Sequence, residues 1–330
     1  MEQRKTDHIN LALQTQTGQI EKDNRFAYEP LLNGHPKDGL PATTIGDKTL
    51  RAPLWVSSMT GGTRMAGFIN HNLARLAGEY GLGMGLGSCH ILLKNEKHLP
   101  DFNLRGVIGD DQPFYANMGI AQVEEFLNKG DLQTIKDLVS LLKADGLIVH
   151  VNPLQEWLQP EGDVISRPPL ETIRALVRQM PFHIIVKEVG QGMGLESLRA
   201  LLQLPLAAVE YGAFGGTNFA KLELLRDESA RKSLMEPLSY IGQTAEEMTF
   251  NVNQLLADDQ AIQTKSLIIS GGIKNFLDGY YLITKSKMPA VYGMASTFLK
   301  YAREDYQSLK KFTGGQLEGL KIAYAYLRVL

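Results

Sequence analysis

The residues with the most chemical promise fall in one short string, His150-Val151-Asn152-Pro153-Leu154-Gln155-Glu156, at the end of an apolar run that begins at Gly146. Alternation along an extended strand sends His150 and Asn152 to the same side, and Gln155 and Glu156 follow in the loop. Histidine and asparagine N–H groups can donate to a phosphate. A loop carboxylate can hold Mg²⁺ beside that phosphate, because Mg²⁺ prefers a carboxylate or two plus substrate oxygens. A lone histidine is more often a satisfied, half-buried side chain. Four polar residues in seven positions after an apolar run favour a site instead.

Two glycine-containing segments point the same way. Gly271-Gly272 and Gly293-Met294-Ala295-Ser296 each end a short apolar run and precede a helical pattern. Small residues there let a backbone approach an anion, and N–H groups at helix starts point at it. The alternative reading is two tight turns without a ligand. Lys187, in Val186-Lys187-Glu188-Val189, is a cation among apolar neighbours. It either pairs with Glu188 or stabilises an electron-rich cofactor or a developing anion. Cys89, the single cysteine, has no base beside it in sequence and reads as an inert thiol.

These groups need a scaffold that brings strand ends together. Short apolar runs occur at Leu54–Met59, Gly83–Ser88, Pro113–Met118, Gly146–Asn152, His183–Val189, Ala207–Gly212, Ser266–Gly271 and Ala290–Ala295. Between them, helical spacing recurs at Ala66–Tyr80, Leu132–Ala144, Leu170–Met180, Leu195–Leu204, Gln243–Ala257 and Asn275–Ser286. Eight βα units predict a (β/α)8 TIM barrel rather than an open doubly wound sheet, with the active site at the C-terminal strand ends. Gly83–Ser88 is the weakest of the eight, since glycine forms strands poorly. No linker divides the 330 residues, so one domain over 1–330 is expected. Residues 1–50 would be an N-terminal arm packed on the barrel, 214–242 a lid loop, and Leu317–Leu330 a closing apolar helix.

Composition excludes several classes. Lys and Arg total 34 against 36 Asp and Glu, a net charge of −2, which argues against a nucleic-acid binder. A single cysteine rules out an intrachain disulfide framework. No apolar run reaches the roughly 18–20 residues that span a bilayer. The N-terminus lacks an apolar signal core, so no membrane association and a cytoplasmic location are expected.

The motifs together resemble the type 2 isopentenyl-diphosphate isomerases, a family of FMN-dependent enzymes. The likeness runs over nearly the whole chain in motif order: Arg4-Lys5-x-Asp7-His8-Ile9, Ser58-Met59-Thr60-Gly61-Gly62, Gly85-x-Gly87-Ser88, His150-x-Asn152-x-x-Gln155-Glu156, Lys187-Glu188-Val189-Gly190, Gly215-Gly216-Thr217 and Ser270-Gly271-Gly272-Ile273. The His-x-Asn-x-x-Gln-Glu string is the most specific of them; the glycine motifs recur in other FMN barrels. The resemblance implies FMN at the barrel mouth, with Ser58, Met59, Thr60, Ser88, Asn117, Lys187 and Thr217 around its ring and ribityl chain. Gly271, Gly272, Ala295 and Ser296 would hold its phosphate. It further implies that Arg4, Lys5, His150, Asn152 and Gln155 surround a diphosphate substrate, with Glu156 on Mg²⁺. Spacing alone reads Arg4-Lys5 as a solvated terminus; the resemblance makes it an arm that reaches the diphosphate. Gln155 and His150 would serve the chemistry, Gln155 by orienting substrate or assisting proton transfer. NADPH would serve only to reduce the flavin, and a homotetramer or larger homo-oligomer is implied.

One departure bears on the substrate. After Gly87-Ser88 the family usually carries Gln-Arg, and this chain has Cys89-His90. His90 would then be a weaker or pH-dependent diphosphate partner. Two other readings of the same motifs are an FMN-dependent 2-hydroxy-acid oxidase or dehydrogenase and a non-catalytic flavin-binding relative. The first needs a histidine base and arginines beside the flavin, and Ile268–Gly272 and Val291–Ser296 contain neither.

Overall fold

Eight short parallel strands close into a barrel in the computed structural model, which describes residues 1–37, 39–226, 231–258 and 261–330. They are β1 (Leu54–Val56), β2 (Gly83–Gly85), β3 (Phe114–Gly119), β4 (Gly146–Val151), β5 (His183–Glu188), β6 (Ala208–Glu210), β7 (Ser266–Ser270) and β8 (Ala290–Met294). Each pairs with the next, and β8 returns to β1 through Gly293 opposite Trp55. The chain is therefore the expected (β/α)8 barrel. The glycine-rich β2 is a strand because the barrel needs space there. A Cβ on Gly83 would stand 2.2 Å from the Trp55 ring, which fills the volume a larger residue would take.

The strands are apolar on both faces, as buried parallel strands require. Outward residues such as Leu54, Val56, Leu147, Val149, Val186 and Ile269 join the helices in one core. Inward, Trp55, Tyr115, Ile148, Ile185, Ala208, Ile268 and Val291 form a second buried cluster together with Ile45 and Leu50. Those last two belong to a hairpin, Thr43–Ile45 against Lys48–Leu50, that plugs the N-terminal end of the barrel. Ser266 Oγ donates to Thr44 O at 3.1 Å and Lys48 pairs with Asp145 at 2.6 Å, fixing the plug to the starts of strands. Two residues further along each strand, about 6–7 Å up the axis, the inward side chains become polar. They are Asn117, His150, Lys187, Glu210 and Ser270.

The helices that matter for the site are α1 (Glu2–Leu11), α2 (Arg64–Tyr80), α3 (Pro153–Leu158), α4 (Phe219–Arg226), α5 (Ala245–Ala257), α6 (Phe276–Lys285), α7 (Ser296–Ala302) and α8 (Tyr306–Tyr326). Helix α2 starts on a Thr63 cap that accepts from Ala66 N–H at 3.1 Å. It stops at Gly81, whose φ of 69° favours glycine.

Three segments differ from expectation. Of the arm, the hairpin and the strand Phe26–Tyr28 pack on the barrel, whereas α1 has no buried residue. The 214–242 segment is mostly helical: α4, then Arg231–Met235 and a tight turn over Glu236–Tyr240. Residues 227–230 of it lie outside the described residues. The C-terminal helix ends at Tyr326, and Leu327–Val329 pairs antiparallel with Phe26–Tyr28. Among the described residues no helix is long and apolar enough to cross a membrane.

Candidate active site

Lys187, Glu210 and Ser270 of this polar layer form the floor of a cavity of about 510 Å³ at the C-terminal strand ends. Lys187 and Glu210 stand side by side on it, in register across β5 and β6. Glu210 is fully buried. Its Oε1 accepts from Ser270 Oγ at 3.2 Å, and Ser270 Oγ in turn accepts from Gly212 N–H at 3.0 Å. Burial raises the Glu210 carboxyl above its ordinary range, and the Lys187 charge opposes that shift. Lys187 Nζ donates to Glu188 O at 2.9 Å. The Glu188 carboxylate accepts from Gly190, Gln191 and Gly192 N–H groups at 2.6, 2.7 and 2.8 Å, which pins the loop after β5.

One side of the cavity is bare backbone. A Cβ on Gly271 would lie 2.1 Å from Ala213 O, and one on Gly216 3.2 Å from Gly271 Cα. The loops after β6 and β7 thus pack main chain on main chain. Gly271, Gly272 and Gly215 have φ of 94°, 74° and 107°, where side chains are strained. The start of α7 and the side chains of Lys274 and Arg303 also line this cavity, which suits an anion. Ser57 Oγ, Ser58 Oγ and Glu210 Oε2 line it too, buried and without a hydrogen-bond partner among the described residues. Such orphaned groups fit a ligand that brings its own polar atoms. A cavity with an anion cradle, a cation on its floor and unpaired hydroxyls matches FMN: phosphate, isoalloxazine ring and ribityl chain.

Of the residues expected around FMN, Ser58, Met59, Thr60, Lys187, Thr217, Gly271, Gly272, Ala295 and Ser296 line the cavity. Ser88 and Asn117 do not. Ser88 faces solvent, and Asn117 is buried one layer aside. Asn117 Nδ2 donates to Leu86 O at 2.9 Å, so its Oδ1 is the acceptor for His150 Nδ1 at 2.7 Å. That bond places the imidazole proton on Nδ1 and leaves Nε2 a lone pair. Burial, with Lys187 nearby, pushes the His150 pKa down to about 3. As it stands in this structure, His150 is therefore a neutral acceptor and not the phosphate donor its position in the sequence implies.

Beside the cavity, β4 leads into α3, and α3 packs on α4 through Leu158, Ala220 and Leu224. Asn152 Nδ2 donates to Gln155 Oε1 at 3.2 Å and to Glu156 Oε1 at 2.9 Å. Gln155 Nε2 donates to Glu223 Oε1 at 3.1 Å, and Glu223 pairs with Arg226 at 2.5 Å. Glu156 Oε2 accepts from Asp163 N–H at 2.8 Å. Each Glu156 oxygen keeps a second lone pair, enough for one protein ligand to Mg²⁺. Among the described residues no three His, Cys, Asp or Glu side chains gather as a metal cage. His90 is half-buried, and burial together with Lys94 lowers its pKa despite Asp163 and Glu125. Arg4 and Lys5 ride on α1, exposed and away from the cavity lining.

Sequence reasoning missed Glu210, Glu223 and Arg303. Glu210 carries a readable signal, a carboxylate two positions after Ala208 in an apolar strand. Glu223 shows none, because its partner Gln155 lies 68 residues earlier.

No family model matches the chain. It is 34% identical over 317 residues to the isopentenyl-diphosphate delta-isomerase of Nostoc, covering 94% of this chain and 87% of that protein. The enzyme of that name from Rickettsia felis is 32% identical over 326 residues, at 97% and 91% coverage. Among solved structures, the flavin-binding domain of baker's yeast flavocytochrome b2 superposes with a TM-score of 0.62 at 11% identity, over 91% of this chain and 71% of that one. A mandelate oxidase variant with an FMN adduct gives 0.57 at 10% identity, over 92% and 87%. At such identity these two structures share the fold.

Proposed function

The chain belongs to the isopentenyl-diphosphate delta-isomerase family, and from that premise we propose that it interconverts isopentenyl and dimethylallyl diphosphate over reduced FMN held in the barrel-mouth cavity. The observation that carries this reading is the pairing of a glycine-lined, cation-floored cavity with the Asn152–Gln155–Glu156 cluster next to it. Reduced flavin supplies acid–base chemistry and an electron-rich face toward a substrate that develops positive charge, with no net redox. The residues of the chain do the rest. Gly271, Gly272, Ala295 and Ser296, with Lys274 and Arg303, hold the phosphate. Lys187 faces the ring with its positive charge. Glu156 would hold the Mg²⁺ that accompanies the diphosphate and so neutralise its charge. Asn152 holds Gln155 and Glu156 in one orientation, and Glu223 aims the Gln155 amide. Arg4 and Lys5 reach the diphosphate when α1 folds over the mouth, so that remote binding energy positions the alkene.

NADPH serves as the reductant of the flavin. The homotetramer or larger assembly is supported by exposed apolar side chains, among them Met65, Phe68, Leu225 and Leu234. No histidine lines the cavity among the described residues, so the base that hydroxy-acid oxidation needs is lacking there.

The test is steady-state conversion of isopentenyl diphosphate with FMN, Mg²⁺ and NADPH. The expected result is many turnovers per NADPH consumed; oxidation in step with NADPH would point to a redox enzyme. Glu156→Gln keeps the side-chain shape and should retain FMN, while the Mg²⁺ concentration for half-maximal rate rises at least tenfold. An unchanged Mg²⁺ requirement would place the cation elsewhere.

A further inference from the structure

We propose that Glu210 is the proton store of the flavin site: it takes up one proton when the bound FMN is reduced, so that the buried cavity keeps its charge. The inference rests on the FMN reading given above. Glu210 is the one carboxylate lining the cavity among the described residues, and none of its surface reaches solvent. Its two oxygens are unlike. Oε1 holds the Ser270 hydroxyl, whose proton is committed because Ser270 Oγ accepts from Gly212 N–H. Oε2 makes no hydrogen bond of normal geometry among the described residues, although the Ser57 hydroxyl stands beside the carboxyl, so it has room for a proton.

Glu188, the next residue after Lys187, is also buried and feels the Lys187 charge, but its carboxylate is held by the Gly190, Gln191 and Gly192 N–H groups. Around Glu210 itself the charge left to balance is that of Lys187. From β5 the Glu210 carboxyl faces Lys187; from β7 and β1 it faces only the Ser270 and Ser57 hydroxyls. β8 presents Gly293, which has no side chain. His150, beyond Lys187 on β4, is neutral through its bond to Asn117. With oxidised flavin, Lys187 and an ionised Glu210 cancel. Reduction delivers two electrons and one proton to the ring, leaving one negative charge opposite Lys187. Two buried negative charges then share one cation, and a surplus charge away from water is costly. A second proton drawn from the buffered solvent, forming an O–H bond at Glu210 Oε2, restores neutrality. The electrons come from the reductant, dithionite in the experiment below. Burial already raises the affinity of this carboxyl for a proton.

The experiment measures the midpoint potential of the FMN-loaded protein against pH between 6 and 8, with dithionite and reference dyes. For a two-electron couple each proton taken up moves the potential by about 30 mV per tenfold change in proton activity. Wild type should fall about 59 mV per pH unit, and Glu210→Gln about 30 mV, with the reduced flavin absorbing as the anion in both. Equal slopes, or a neutral reduced flavin in wild type, overturn the proposal. Should Glu210→Gln release FMN, proton uptake by wild type is counted with an indicator dye in weakly buffered solution. An infrared difference spectrum is recorded alongside. Two protons per two electrons and a new carboxylic-acid C=O band, shifted in Glu210→Asp, are expected. One proton and no band overturn the proposal. A wild-type chain that holds no FMN overturns the cofactor reading and this inference with it. FMN bound with one proton per two electrons overturns this inference alone.

Discussion

At the scale of single residues, the bond from His150 to Asn117 is the detail with the clearest solution consequence. The folded pKa of about 3 lies below the ordinary 6.5 of an unfolded histidine. Between those values the unfolded chain binds the extra proton and the folded chain does not. The stability that this neutral imidazole contributes is thus present above about pH 6.5 and lost as pH falls toward 3. His150→Asn should flatten the acid limb of a plot of Tm against pH. Superimposable limbs for the two proteins would show that His150 titrates freely. The same bond corrects a sequence-level idea. His150, read as a phosphate donor from its place in His-x-Asn-x-x-Gln-Glu, becomes an acceptor through Asn117, a residue 33 positions earlier on another strand. Spacing within one strand cannot show which tautomer a neighbouring strand selects.

At the scale of elements, the strands are legible because each is a short apolar run, as strands buried on both faces must be. Tyr115 to Asn117, Ile148 to His150, Ile185 to Lys187, Ala208 to Glu210 and Ile268 to Ser270 each step from the dry plug to the polar layer above it. Helices that begin without a turn were harder. Ile120–Lys129 follows β3 directly on Gly119 with no side-chain cap, and its start carries no signature. Helix α3 is six residues long and reads as loop until α4 packs on it. The glycine contact between the loops after β6 and β7 gives a sharp expectation. A methyl on Gly271 would lie 2.1 Å from Ala213 O, and its φ of 94° is unfavourable as well. Gly271→Ala should therefore cost about 1–3 kcal/mol in strain. FMN affinity should fall by tenfold or more, while far-ultraviolet circular dichroism stays that of the barrel. Wild-type affinity in the folded variant would remove these loops from the phosphate site.

At the scale of the whole molecule, the two ends of the chain play opposite parts. Helix α1 contributes no buried residue, whereas Phe26 is buried against Tyr280 with ring centroids 6.0 Å apart. Deleting residues 1–22 should leave Tm within about 2 °C, since surface segments carry little stability. KM for isopentenyl diphosphate should rise at least tenfold with the loss of Arg4 and Lys5. A deletion that leaves KM unchanged would free the arm of any role at the diphosphate. The C-terminal strand reads as helix from sequence because its partner lies some 300 residues away, where no local pattern reaches.

That pairing of Phe26–Tyr28 with Leu327–Val329 also bears on how the protein is made. A ribosome releases the first of these strands long before the second exists. For most of synthesis Phe26, Ala27 and Tyr28 must wait with an open edge, although the hairpin at 43–50 can form locally. The barrel itself cannot close until β8 has emerged, because Gly293 and Trp55 are opposite one another. The last clasp follows only when Leu327, Arg328 and Val329 are free of the exit tunnel. Bringing ends together over so long a loop is slow, and an unpaired edge meanwhile invites neighbouring chains. The nascent chain thus carries an unpaired edge at Phe26–Tyr28 until Leu327–Val329 arrives to cover it.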